Sequence, residues 1–187
     1  MADKKISKNL KKAIIDVGSG DQKNIEKGLK FISEKGSPEI IKDLVELLMK
    51  SKDVVLRKKI ENLLSDVQKE EAIEIIMDLV KDDKYSTVRT NILNSIWNSK
   101  LDYSRYIADF VFLAIEGDLM QSVECLTAIE NMMGPFEEHH LLEAQLYLKE
   151  YHSNRINESK QKNEIISDIA LFIKDQNEGV DADLLLE

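Results

Sequence analysis

The sequence is poor in cysteine, proline, glycine and aromatic residues: one Cys, two Pro, seven Gly and an aromatic share of 6% in 187 residues. A single cysteine, Cys125, cannot form an internal disulfide, so nothing asks for an oxidising compartment. So few Gly and Pro exclude a turn-rich β fold, a collagen-like chain and a long flexible linker. Long hydrophobic runs are missing as well. The stretch Phe110 to Ile115 is among the longest and falls far below a membrane span. Cations near the N-terminus, Lys4, Lys5 and Lys8, are not followed by an apolar segment. We therefore expect a cytoplasmic protein with no membrane association.

What is present is a helical composition: 43% hydrophobic and 33% charged residues, enough for one domain with a continuous core. The net charge is −9, unevenly placed. Residues 1–60 hold 15 basic and 9 acidic side chains, net +6, which leaves 11 basic and 26 acidic, net −15, for residues 61–187. Phosphate-binding surfaces need clustered cations, so nucleic-acid binding is disfavoured outside the N-terminal third.

Helical periodicity runs almost throughout. It predicts helices over 4–17, 24–34, 53–67, 70–81, 86–99, 103–115, 119–133, from about 136 past 151, and 163–174, with another opening at Ser37-Pro38 as cap and first position. Nothing reads as a strand, and short loops imply antiparallel neighbours. A slide of 32 residues superimposes Leu56-Arg57 on Val88-Arg89, Ile60 on Ile92 and Leu64 on Ile96. A slide of 31 brings Ile25, Leu29 and Ile32 onto Leu56, Ile60 and Leu63. Four helix pairs thus share a pattern, beginning at Asn24, Asp53, Ser86 and Leu119. Such a period points to an α-solenoid. The expected fold is all-α: a right-handed superhelix of about four antiparallel pairs in one domain. Residues 1–20 form an N-terminal cap, 21–134 the repeats, 135–178 the C-terminal helices and 179–187 a flexible acidic tail. Leu56, Ile60, Val88 and Ile92 should share one core.

Through Asp53-Val54-Val55-Leu56-Arg57 and Asp83-Lys84-Tyr85-Ser86-Thr87-Val88-Arg89 the chain resembles the HEAT-repeat family, in its short HEAT-like variety. That family places an acidic residue, Val-Arg and a small residue in each first helix. Here Ile60 and Ile92 stand where it prefers Ala, and the first and fourth pairs lack the Arg. The resemblance covers roughly residues 20–134. It implies second helices that line a concave, partner-binding surface. Some HEAT-like proteins are iron-dependent hydroxylases with repeated His-Glu dipeptides, and this sequence has none. Others are DNA glycosylases with a basic concave face, which the acidic balance from residue 61 onward opposes. The Trp, Gly, Tyr and Pro pattern of tetratricopeptide repeats is missing.

Few residues suggest chemistry. Glu137 and His140 are three apart and His139 and Glu143 four apart, so each pair shares a helix face. A di-iron carboxylate centre needs two Glu-x-x-His motifs, and one is present. His152 is too far along the chain to join it easily. Cys125 has no Lys, Arg or His nearby in sequence to activate it and reads as a buried thiol. Gly18-Ser19-Gly20 is too short for a phosphate loop. We expect no catalytic residue, no cofactor and no metal.

The expected function is therefore a non-catalytic scaffold or adaptor for a protein partner, as a monomer or weak homo-oligomer. The alternative is a HEAT-like enzyme or nucleic-acid-binding protein. Glu39, Glu46, Glu71, Glu74, Asp78 and Asp109 recur on second helices and would form a mostly negative strip, interrupted by Lys42. Such a strip suits a basic partner segment. Tyr103 and Tyr106 would supply any apolar anchor, although Tyr103, Tyr106 and Phe110 share a face and such a stripe is more often core. Arg57 and Arg89 should bond carboxylates or helix-end carbonyls within the stack. The basic run Lys4, Lys5, Lys8, Lys11 and Lys12 reads first as a solvated helix, and the tail Asp181 to Glu187 as a docking peptide or a segment folded back onto the last helix; whether either is a separate docking element stays open.

Overall fold

The computed structural model of the chain describes residues 7–154 and 158–176. The tail, Lys4 and Lys5 lie outside them. Ten α-helices and no strand occur among the described residues. Two compact units result, one up to Leu101 and one from Asp102 onward.

The first unit contains α1 (Lys8–Val17), α2 (Gln22–Lys35), α3 (Ile41–Lys50), α4 (Val54–Ser65), α5 (Glu71–Lys81) and α6 (Arg89–Trp97). Asp side chains start several of these elements. Asp21 accepts from the amide of Asn24, and Asp53 from those of Val55 and Leu56. Asp82 accepts from the amide of Lys84, ahead of α6. Each carboxylate satisfies donors that the first turn leaves without partners. Helix α1 packs on α2, α2 on α4 and α4 on α6, while α3 packs on α5; α3 also meets α4, and α5 meets α6. Ile60, Val88 and Ile92 are buried between these helices, Ile60 at 0% and Ile92 at 1% exposure. Leu56, in the first turn of α4, is half-buried rather than in the core.

The two arginines behave alike. Arg57 donates from Nη1 to the carbonyl of Leu48 at 2.6 Å, and Arg89 from Nε to the carbonyl of Val80 at 2.8 Å. Both carbonyls lie in the last turn of the preceding helix, where backbone acceptors lack partners and the dipole favours a cation. Leu48 and Val80 are 32 apart, as are Arg57 and Arg89. Arg57 continues through Nη2 to Asn91 Oδ1 at 2.6 Å. Asn91 donates in turn to Glu61, which is buried and also receives Lys58 at 3.1 Å. This polar chain ties α4 to α6.

Expected starts differ in three places. Pro38–Ile40, Asp83–Val88 and Ser104–Tyr106 are 3-10 turns that precede their α-helices. Ser37 makes no side-chain cap bond. Its own carbonyl takes the Ile40 amide at 3.2 Å, the donor a capping hydroxyl would need.

The second unit contains α7 (Ile107–Glu116), α8 (Leu119–Glu130), α9 (Glu138–Asn154) and α10 (Lys160–Gln176). Asp118 caps α8 by accepting from the Gln121 amide at 2.9 Å. Helix α7 packs on α8 and α9, and α10 on both of those. Ile107, Ala108, Phe110, Val111, Leu113 and Ala114 of α7 are all buried, as expected of a helix apolar on most sides. Its C-terminal carbonyls again receive a cation, here from α10. Lys162 Nζ donates to the carbonyls of Ile115 at 2.6 Å and Gly117 at 2.9 Å and pairs with Glu158 at 3.3 Å.

Candidate functional site

In the first unit the expected acidic strip is partly neutralised. Glu46 lies 3.0 Å from Lys84 and 3.7 Å from Lys50. The hydrogen bond and charge of Lys84 hold the Glu46 carboxyl below the ordinary carboxylate range. Glu39 is half-buried. Glu71, Glu74 and Asp78 on α5 are exposed, and no hydrogen bond or ion pair joins their side chains to another described residue. Glu71 and Glu74 lie in the first turn, where a helix dipole favours carboxylates. Asp78 lies in the last turn, at the negative end, where the dipole disfavours it.

In the second unit Asp109 and Tyr106 stay accessible and Tyr103 does not. Tyr103 is 3% exposed and sets its ring edge-on to Phe110 at 6.3 Å. That corrects its expected role as an anchor: it belongs to the core face, as Phe110 does. Tyr106 is half-buried and its ring is already occupied, because the Arg105 guanidinium lies 4.8 Å over it and donates to its hydroxyl at 3.0 Å. The exposed aromatic is Phe112, at 45%. It meets Tyr147 of α9 at 5.3 Å between ring centres. Phe112 closes the aromatic-rich stretch that begins at Tyr85, but nothing in the sequence pairs it with Tyr147. Only the packing of α9 on α7 pairs them.

Two open hollows lie along α7 and α9. The first, about 420 Å³, is bordered by Arg105, Tyr106, Asp109 and the Glu137, His139, His140 and Glu143 stretch. Here the two histidine rings lie 3.9 Å apart, and His139 Nδ1 lies 3.5 Å from Glu137. Among the described residues no three His, Cys, Asp or Glu side chains are placed to hold a metal. The second hollow, about 310 Å³, is bordered by Phe112, Glu116, Tyr147, Glu150 and Tyr151. Tyr147 donates to Glu143 at 2.9 Å, and that bond, with burial and the charges of Glu143 and Asp109, raises the tyrosine pKa. The Tyr147 hydroxyl therefore remains a proton donor at neutral pH. Cys125 is buried in α8, with no access for chemistry. Compared with family models, characterised proteins and solved structures, the chain finds no match.

Proposed function

We propose that the protein is a non-catalytic, HEAT-like interaction scaffold that holds a basic segment of a protein partner on acidic helix faces. The observation that carries this reading is the row Glu71, Glu74 and Asp78 on α5, exposed and without a cation among the described residues. Like charges at spacings of three and four repel one another. The helix dipole favours Glu71 and Glu74, but Asp78 opposes it, so stability does not account for all three charges. A cationic partner would. Support for the repeat architecture comes from two features. First helices α2, α4 and α6 adjoin in order while α3 adjoins α5, and Arg57 and Arg89 make the same bond 32 residues apart. We read these as successive repeats of a right-handed α-solenoid. On this reading the protein is a cytoplasmic adaptor that acts as a monomer or weak homo-oligomer.

Stopped-flow association with a lysine-rich helical peptide tests the reading, with a glutamate-rich peptide as control. The basic peptide should associate faster, and the rate should fall steeply as salt rises, because screening shortens the reach of these charges. Changing Glu74→Lys and Asp78→Lys together should slow association without lowering the melting temperature. Equal association of both peptides, or no effect of the double reversal, would reject the acidic face as a partner surface.

A further inference from the structure

The α7–α9 face couples exposed aromatic surface to free carboxylates. Phe112 is followed one turn later on α7 by Glu116, and Tyr147 is followed on α9 by Glu150, so each ring has an acid beside it on its own helix. Both acids border the same hollow as the ring pair, and neither is joined to another described residue. Glu158, also on its border, is engaged by Lys162. An apolar occupant would cover the rings but would strip water from two unpaired carboxylates, at a cost that opposes binding. A cation that also stacks on rings satisfies both features. The guanidinium does this better than an ammonium, because it is planar, weakly hydrated and able to grip a carboxylate with two parallel donors. The chain contains an instance of the first half of this chemistry in the turn that leads into α7, where Arg105 lies over Tyr106.

We infer that the hollow between α7 and α9 receives an arginine side chain from a basic partner segment, stacked on the Phe112–Tyr147 pair and held by Glu116 and Glu150. This rests on the scaffold reading above and names the residue that reading leaves open.

The test uses the full chain and two fluorescent helical peptides, lysine-rich, with either arginine or uncharged citrulline at one central position. Fluorescence anisotropy should show the arginine peptide binding about tenfold more tightly, the scale of one desolvated cation–aromatic contact with its ion pair. Phe112→Ala should remove most of that preference, and so should Glu150→Gln, which keeps the side-chain shape. Circular dichroism should show both variants folded at the assay temperature, with melting unchanged in Glu150→Gln and lowered slightly in Phe112→Ala by the lost Tyr147 contact. Equal affinity for the two peptides overturns the inference, as does a preference that survives both variants. If basic peptides still bind in a salt-dependent way that Glu74→Lys with Asp78→Lys abolishes, the scaffold reading stands without it. Failure of either peptide to bind rejects both. A change of oligomeric state on Phe112→Ala, with peptide affinity untouched, assigns the hollow to a second copy of the chain and also overturns the inference.

Discussion

Replacing Arg57 by Ala should destabilise the first unit by more than its partial exposure suggests. The guanidinium makes two short hydrogen bonds, to the Leu48 carbonyl and to Asn91 Oδ1, both 2.6 Å, and a longer one of 3.4 Å to the Ser51 carbonyl. A hydrogen bond to a charged group contributes about 1.5–3 kcal/mol net, and the two short bonds share one donor group, so they do not add fully. Water can replace part of the loss at the helix end. It replaces less at Asn91, which also donates to the buried Glu61. We expect a loss of about 2–4 kcal/mol. For a chain of this length that lowers Tm by on the order of 10 °C. Thermal and urea unfolding followed by circular dichroism measure it. Arg57→Lys should recover only part, because one ammonium cannot span the carbonyl and the amide together. A double-mutant cycle of Arg57→Ala with Asn91→Ala should return a coupling of about 1 kcal/mol or more. Unchanged unfolding in Arg57→Ala, or zero coupling with Asn91, would refute the polar chain as a structural tie between α4 and α6.

Gly28→Ala should also destabilise, although Ala favours helices by about 1 kcal/mol over Gly. A methyl there would meet the Ala13 carbonyl oxygen at 2.6 Å and Val17 Cγ2 at 2.8 Å, so α1 and α2 would have to separate. We expect a net loss of about 1–3 kcal/mol and faster amide exchange in α1, whereas a raised Tm would show that the helices can shift freely. The Lys84–Glu46 pair gives a pH signature. Glu46 titrates below its unfolded value, so its contribution is present above that value and fades as pH falls through the folded one. Hydrogen bonds to the Tyr85 hydroxyl and to Glu46 push Lys84 up to about 12, so its contribution is present below the unfolded lysine value and fades as pH rises through about 12. Lys84→Met should therefore lie slightly below the native protein in Tm at neutral pH, and the gap should narrow in acid as Glu46 is protonated, leaving only the part from the Tyr85 hydroxyl. A constant offset across the acid range would show that the pair contributes nothing through charge.

Helix positions were legible in the sequence because the apolar spacing of each segment is local, and so was the 32-residue relation between Arg57 and Arg89. Both depend on residues close in the chain: a helix stripe repeats within two turns, and each arginine reaches back nine residues to a carbonyl of the preceding helix. Burial of Ile60 and Ile92 followed from the same pattern. The 3-10 starts were not legible, because they depend on which carbonyl captures an amide in the first turn, a choice between nearly equal local geometries. Tertiary packing alone decided the rest. Helix α7 is apolar on nearly every side, so periodicity could not say which sector stays open. Folding buries Tyr103 and Phe110 edge-on to one another and leaves Phe112 beside Tyr147 of α9. Glu46 looked like any other carboxylate of the strip until folding brought Lys84 to it from 38 residues away. Lys162 looked like a solvated lysine until α10 placed it on the end of α7, 45 residues from the Gly117 carbonyl. A charge acquires its role from the partner within a few ångströms, and partners so distant in sequence are set by how the helices pack, not by the residues that flank each one.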